Sequence, residues 1–70
     1  MQIEDHINLS EREREILDDL YHGLSRDEMA AIRYLSINTV NKILQSLFIK
    51  LNASNNVDAI RVAIERGLIE

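Results

Sequence analysis

The segment Ser36–Leu51 of this 70-residue chain carries apolar residues at intervals of three or four. This spacing places side chains on one face of an α-helix, where they form a continuous stripe. The stripe consists of Val40, Leu44, Leu47 and Leu51. Ser36 can cap the start of the helix, and Asn52 can end it. The segment therefore predicts an amphipathic helix whose stripe is buried.

The opposite face of this predicted helix is polar and contains no acidic residue. It consists of Asn38, Asn41, Lys42, Gln45, Ser46 and Ile49. In the major groove of DNA, Asn and Gln can form two hydrogen bonds with adenine, and Lys can donate to guanine. These residue types therefore allow base recognition. The alternative is the solvated face of an ordinary core helix.

The chain before residue 24 predicts a first helix. Ser10 and Glu13 form a capping box at its start, and Gly23 can end it. The residues expected on its packing side are Leu9, Ile16, Leu17, Leu20 and Leu24. The charged residues expected on its solvated face are Glu11, Arg12, Glu13, Arg14, Glu15, Asp18 and Asp19.

A second capping box, Ser25 with Glu28, predicts a helix that runs to about Tyr34. Its apolar positions are Met29, Ala30 and Ile32. Only Leu35 and Ser36 separate this helix from the amphipathic one. The two helices are therefore expected to form a tight helix-turn-helix.

The run NASNN after Leu51 predicts a loop, and Asn55 or Asn56 can cap a last helix from Val57 to Arg66. Gly67 can end this helix. The residues expected to face inward are Ala59, Ile60 and Ala63. The outer stripe then consists of Val57, Arg61 and Ile64. Four helices in a chain without proline predict an all-α fold.

The length of the chain allows one small domain, which we expect to span residues 9–70, with residues 1–8 as an arm or the end of a linker. A hydrophobic content of 46% is enough for a core. The absence of cysteine rules out disulfides and thiolate metal sites. No apolar run approaches the ~20 residues of a membrane-spanning helix, and the polar start MQIEDHIN is unlike a signal peptide. We therefore expect a cytoplasmic protein.

The net charge is −4, from twelve acidic and eight basic residues. This balance argues against a nucleic-acid partner, because neutralisation of phosphates supplies most non-specific affinity. The distribution of charge weakens the objection. Residues 1–19 hold seven of the acids, whereas residues 33–50 contain Arg33, Lys42 and Lys50 and no acid.

Side chains suited to catalysis or metal binding show no useful spacing. His6 and His22 have no partners at the intervals that metal ligands require. A triad of Ser10, His22 and Asp18 is not expected, because the hydroxyl of a capping serine is bonded to the helix N-terminus. A glycine-rich phosphate loop is also absent. We therefore expect no enzymatic activity, no metal and no cofactor.

The series LSEREREIL…GLSRDEMA…LSINTV…KL…AI…A…GLI resembles the LuxR-type (GerE- or FixJ-type) DNA-binding domain. The resemblance covers residues 9–69 without an insertion or deletion. The region-4 domain of sigma factors shares part of the pattern, but the closing GLI and the helix after the loop favour the LuxR type. The LNAS stretch and the loss of the usual basic triplet resemble the competence-type quorum regulators more than the nitrate-type ones.

The resemblance implies a four-helix LuxR-type helix-turn-helix domain with residues 27–34 as the scaffold helix and residues 38–51 as the recognition helix. The positions that contact bases in the family correspond to Asn41, Lys42 and Gln45. Those that contact phosphates correspond to Ser36, Thr39 and Lys50. Family members pair through the last helix, which implies a weak homodimer on inverted-repeat DNA. The dimer residues would be Val57, Arg61 and Ile64.

The sequence departs from the family pattern at several positions. Asn41 stands where Lys is usual, and Ile43 where His is frequent. Asp27 replaces a common Lys or Gln, and Asn56 a usual Arg. Arg33 occupies a position normally filled by a core leucine, and we expect it to reach the DNA backbone. The lost basic residues predict weaker DNA binding than the family norm.

Two functions are compatible with the sequence. The first is a sequence-specific DNA-binding module, the C-terminal output domain of a response or quorum regulator with a receiver or sensor domain upstream. The second is a degenerate family member with weak DNA affinity that acts as a protein-interaction domain. A salt-dependent shift of promoter DNA would support the first function. Binding to a partner protein without competition by DNA would support the second.

Overall fold

The computed structural model describes residues 7–69, which form four α-helices and no strand. The helices are α1 (Glu11–Tyr21), α2 (Arg26–Arg33), α3 (Ile37–Leu51) and α4 (Asn56–Glu65). The predicted all-α class and all four predicted helices are confirmed. Most of the predicted N-terminal arm, residues 1–6, lies outside the described residues.

The third helix is the centre of the fold, because α1, α2 and α4 all pack against it. α1 and α4 also contact each other. The predicted stripe of α3 is buried along its whole length. The complete apolar core consists of Ile16, Leu17, Leu20, Met29, Val40, Leu44, Leu47, Leu51, Ala59, Val62 and Ala63. The helical phase predicted for α3 is thus correct.

Each helix starts at a residue whose side chain accepts a hydrogen bond from the backbone N–H three residues later. These N-caps are Ser10, Ser25, Ser36 and Asn55. Both predicted capping boxes are present, with Glu13 and Glu28 bonded back to the N–H groups of Ser10 and Ser25 at 2.9 and 2.7 Å. Such caps satisfy N–H groups that no helical carbonyl can reach.

All four helices end in the same way, with a positive-φ residue followed by an apolar residue. The positive-φ residues are Gly23, Tyr34, Asn52 and Gly67. The N–H of the next residue donates to a carbonyl five residues earlier, as from Leu35 to Ala30 at 2.9 Å. The apolar residues that follow are partly buried against the core: Leu24, Leu35, Ala53 and Leu68. These ends fix the paths between helices.

The second helix differs from its predicted orientation. Ile32 was named among the apolar positions of this helix but is 56% exposed. Met29 is buried, and Arg33, one turn later, points toward α1, where it donates to Asp19 through Nε and Nη2 at 2.9 and 2.7 Å. The expectation that Arg33 reaches the DNA backbone is therefore wrong for this structure. Asp19 was expected on the solvated face and is buried instead.

The last helix begins at Asn56 rather than Val57, because Asn55 is the cap. Ala59 and Ala63 are buried as predicted, and Ile60 packs against the core as a partly buried residue. Val62 is also buried, which the sequence did not predict. Over residues 7–69, none of the helices has the length and apolarity needed to cross a membrane.

Candidate nucleic-acid interface

The outer face of α3 is open to solvent and carries the three residues predicted to contact bases. Asn41, Lys42 and Gln45 are all exposed. With a rise of 1.5 Å per residue, they lie within about 6 Å along the helix axis, so they can address neighbouring base pairs. Ile49 extends the same face toward the C-terminal end and is exposed as predicted. Ser46 is an exception, because it is partly buried against α1.

The electrostatics of this face are more favourable than the net charge suggests. No acidic residue occurs between Glu28 and Asp58. Within residues 7–69, no ion pair involves Lys42, so its ammonium group is available to a ligand. Three of the twelve acids lie outside the described residues, which leaves nine acids against eight bases. The acidic balance is therefore nearly absent from residues 7–69.

Two of those nine carboxylates, Glu13 and Asp19, are buried and neutralised on the inner side of the fold. Glu13 is 6% exposed, although the sequence predicted a solvated position. Its carboxylate accepts from Ser46 Oγ at 2.6 Å and from Lys50 Nζ at 2.8 Å. Burial alone would raise the pKa of Glu13, but these bonds and that from the Ser10 N–H outweigh it and lower the pKa from 4.5 to about 2. The network ties α1 to α3.

A second neutralised pair joins α1 to α2. The guanidinium of Arg33 binds the Asp19 carboxylate with two hydrogen bonds and lies 3.8 Å from Glu15. The hydrogen bonds to Asp19 raise the pKa of Arg33. Two parallel bonds between guanidinium and carboxylate fix orientation as well as charge. The pair sets the position of α2, and thus of the turn that precedes α3.

The three residues predicted to contact phosphates lie in different environments. Ser36 Oγ caps α3 and donates to Thr39 Oγ1 at 3.0 Å, which leaves the Thr39 hydroxyl hydrogen free to donate outward. Lys50 Nζ is bonded to Glu13 and to the backbone carbonyl of Asn8 at 2.9 Å. A phosphate at Lys50 would have to share the ammonium with Glu13.

Arg26, a residue that the sequence did not single out, also belongs to this surface. It is the first residue of α2, and its Nη1 donates to Asn41 Oδ1 on α3. The sequence indicated Arg26 only as a basic residue within the second capping box, between Ser25 and Glu28. The bond joins residues 15 positions apart, so no local pattern reveals it.

The outer stripe of α4 is exposed as predicted, with Val57 at 77% and Ile64 at 54%. Arg61 lies between them and is bonded to Asp58 at 2.6 Å and to Glu65 at 2.9 Å. These bonds lower the pKa of Asp58 and raise that of Arg61. The stripe is therefore apolar at both ends and internally neutralised in the middle.

The histidines of the chain do not contribute to this site. His22 is exposed, and its Nδ1 lies 2.8 Å from the carbonyl oxygen of Asp18. His6 lies outside the described residues. In the part of the chain that the structure covers, no group of three or more His, Cys, Asp or Glu side chains is placed to hold a metal ion.

These features define a helix-turn-helix domain in which the second helix exposes a polar, acid-free face. Residues 7–63 match the family described as bacterial regulatory proteins, luxR family. The chain therefore belongs to the luxR family of bacterial regulatory proteins, and the predicted resemblance is confirmed.

Three relatives carry the names of regulators. The chain is 35% identical over 63 residues to "Probable transcriptional regulator ycf29" of Cyanophora paradoxa, which covers 90% of this chain and 30% of the relative. It is 31% identical over 64 residues to the response regulator Rre1 of Synechocystis sp., and the match covers 91% of this chain and 28% of the relative. It is 37% identical over 68 residues to the transcriptional activator protein EsaR of Pantoea stewartii subsp. stewartii. This match covers 97% of this chain and 27% of the relative.

A solved structure shows the same fold. The response regulator ChrA of a heme-sensing two-component system superposes with a TM-score of 0.86 at 40% identity, over 89% of this chain and 31% of ChrA. The chain thus spans less than a third of the length of the relatives it matches.

Proposed function

We propose that this chain is a sequence-specific DNA-binding module of a transcription regulator and that α3 enters the major groove. The observation that carries the proposal is the outer face of α3, where Asn41, Lys42 and Gln45 are exposed on the second helix of a helix-turn-helix. Amide and ammonium groups at this spacing match the base edges of the major groove. Membership of a regulatory family supports the same function.

The test is to select bound duplexes from a random pool with the parent domain and then to measure affinities of single-site variants. Asn41→Ala or Gln45→Ala should each cost ~1–3 kcal/mol on the selected site and relax the preference at one base pair. Asn8→Ala removes an exposed side-chain amide before α1 and should change neither affinity nor preference. Unchanged binding by both α3 variants would refute the groove assignment.

The alternative function, a protein-interaction domain with weak DNA affinity, predicts a different result. The random pool would then yield no enriched sequence, and the domain would retain its partner in the presence of competing DNA. The uncommitted Lys42 and the nearly balanced charge of residues 7–69 favour DNA instead.

We further propose that Thr39 and Ser36 contact phosphates at the start of α3 and that Lys50 does so at its end. The N-terminal end of a helix attracts anions through its free N–H groups and dipole, which supports the first pair. Lys50 is a weaker candidate, because its ammonium group already neutralises Glu13. A uniform loss of affinity for all DNA in Thr39→Val would support the phosphate role, and a change of base preference would exclude it.

We also propose that two copies pair on DNA through the outer stripe of α4. Val57 and Ile64 are exposed aliphatic residues on one face, and the ion pairs of Arg61 reduce repulsion between two copies facing each other across a two-fold axis. Such a pair would set two α3 helices on half-sites ~10 base pairs apart. A patch this small favours a monomer in dilute solution.

The pairing is tested by comparing affinities for an inverted repeat and for a half-site. Ile64→Asp places two like charges together at the axis and should abolish cooperative binding to the repeat while sparing half-site binding. Ile32→Asp is a matched control, because Ile32 is 56% exposed but lies on α2. The control should keep the ratio between repeat and half-site. If Ile64→Asp also keeps it, α4 is not the dimer surface.

The larger context is part of the proposal. We infer that the module acts in the cytoplasm as the output end of a regulator that also contains a receiver or sensor domain. The response-regulator names of two relatives and the small share of their length that is matched support this arrangement. Detection of the native protein at a mass well above 8.1 kDa by immunoblot would support a longer regulator, and a band at that mass would contradict it.

A further inference from the structure

The contact between Arg26 and Asn41 determines how Asn41 presents its amide group. Arg26 Nη1 donates to the side-chain oxygen Oδ1 of Asn41. A guanidinium group has five N–H donors and no acceptor. The Asn41 atom that faces it must therefore be the oxygen, and the NH₂ group takes the other side.

This orientation changes what Asn41 can recognise. Asparagine reads adenine with two bonds, one accepted by Oδ1 from adenine N6 and one donated by Nδ2 to adenine N7. Arg26 occupies one lone pair of Oδ1 on the α2 side, so the oxygen can accept from a base only through its second lone pair, whereas the Nδ2 donor is left open to a base edge. Within residues 7–69, no hydrogen bond engages that Nδ2. Asn41 is thus better placed to donate to a base than to accept from one.

The neighbouring residue strengthens the same preference. Lys42 carries three N–H donors, no acceptor and no ion-pair partner among the described residues. A surface whose open groups are donors complements base edges that present acceptors. Guanine presents such an edge in the major groove through N7 and O6, whereas adenine presents one acceptor and one donor.

We propose, resting on the DNA-binding function proposed above, that Arg26 is a specificity-determining positioning residue for base recognition. By holding the oxygen of Asn41, it directs the amide donor toward guanine and disfavours the two-bond contact with adenine, in which the same oxygen would also have to accept from N6. The residue acts through Asn41 and needs no base contact of its own.

The experiment compares the parent domain with Arg26→Ala. The base pair read by Asn41 is first identified as the position whose preference disappears in Asn41→Ala. The parent should prefer guanine to adenine there by about tenfold, the scale of one well-placed polar contact. In Arg26→Ala the ratio should fall to about one or reverse, because the freed amide can form both bonds with adenine.

Two controls separate this role from loss of charge. Arg14→Ala removes an exposed cation of α1 that forms no ion pair in residues 7–69, and it should leave the base ratio unchanged. Arg26→Ala in the Asn41→Ala background should lower the affinity for all DNA sequences alike, with no further change of base preference. Arg26 is exposed, so a thermal melt should show the variant folded like the parent.

The outcomes are distinct. If the parent enriches no sequence, the proposed function fails and this inference fails with it. If the parent prefers guanine and Arg26→Ala retains the same ratio, DNA binding stands and the positioning role is overturned. A parent that prefers adenine at the Asn41 position overturns the inference directly.

Discussion

The outer faces of α3 and α4 differ, although both helices bury an apolar stripe on the inner side. The outer face of α3 presents amides and the ammonium group of Lys42, which has no ion-pair partner in the described residues. The outer face of α4 presents Val57 and Ile64, and its Arg61 is bonded within its own helix. Similar caps and similar periodicity have therefore produced two different surfaces.

The difference shows which surface suits which partner. The exposed donors of the α3 face lose little when they exchange water for base edges, so α3 suits a polar ligand. An apolar stripe with a neutralised centre gains by removal from water, so α4 suits another apolar surface. The inner faces determine folding, and the outer faces determine binding.

The largest expected effect concerns the inner faces of α3 and α4, which should contribute different amounts to the free energy of unfolding. Leu47 of α3 is fully buried at the centre of the fold, so Leu47→Ala should cost ~2–5 kcal/mol. Val62 of α4 is less central, and Val62→Ala should cost ~1–2 kcal/mol from two buried carbons. Thermal melts measure both. Equal losses would mean that α3 is not the central helix.

The next effect concerns the inner polar link between α3 and α1. Glu13 has its pKa lowered from 4.5 to about 2 in the folded chain. Because the folded pKa is the lower one, the ionised carboxylate stabilises the fold fully above about pH 4.5, and this contribution is lost as the pH falls to about 2. At 1.36 kcal/mol per pKa unit, it amounts to at most about 3 kcal/mol.

Denaturant unfolding at several pH values tests this link. Glu13→Gln should lower stability near pH 7 and flatten its dependence between pH 4.5 and 2 relative to the parent. Lys50→Met should shift the loss of stability to higher pH, because it leaves the buried carboxylate without its cation. Glu65→Gln is a control at an exposed acid. Parallel curves for parent and Glu13→Gln would show that Glu13 is not held by Lys50 and Ser46.

The sequence correctly predicted the structural features that depend only on residues within about one helical turn of each other. The stripe of α3, the two capping boxes and the glycines after α1 and α4 all lie in such local patterns. The exposure of the α3 and α4 outer stripes follows from the same phase. Their ligands, however, remain predictions, because exposure alone does not identify a partner.

The errors at the charged residues of α1 and α2 share one physical cause, which is pairing between distant residues. Glu13 and Asp19 were expected in solvent, but Lys50 and Arg33 lie 37 and 14 positions later and make their burial favourable. Arg33 takes an inward position of α2 and leaves Ile32 exposed. A prediction from periodicity places every charged side chain in solvent. A charged residue that is buried in an ion pair therefore points to the side opposite to the predicted one.

Tyr34 is a different kind of miss. It ends α2 with φ 58°, in the left-handed region that favours Gly and Asn, and it is 94% exposed. No turn residue marks this position in the sequence. The Leu35 N–H bond to Ala30 and the packing of Leu35 against the core account for the turn, because they require the chain to reverse there.

The smallest expected effect compares the two outer cations directly. Lys42 has no ion-pair partner within the described chain, so bound DNA can use its full charge, whereas Arg61 is neutralised by Asp58 and Glu65. Lys42→Ala should reduce the slope of log affinity against log salt by up to about one unit, because fewer counterions are released. Arg61→Ala should leave the half-site slope unchanged. Fluorescence anisotropy of a half-site at several salt concentrations measures both slopes. An equal reduction of the salt slope in the two variants would mean that α3 and α4 lie at similar distances from DNA. The proposed distinction between their outer faces would then be wrong.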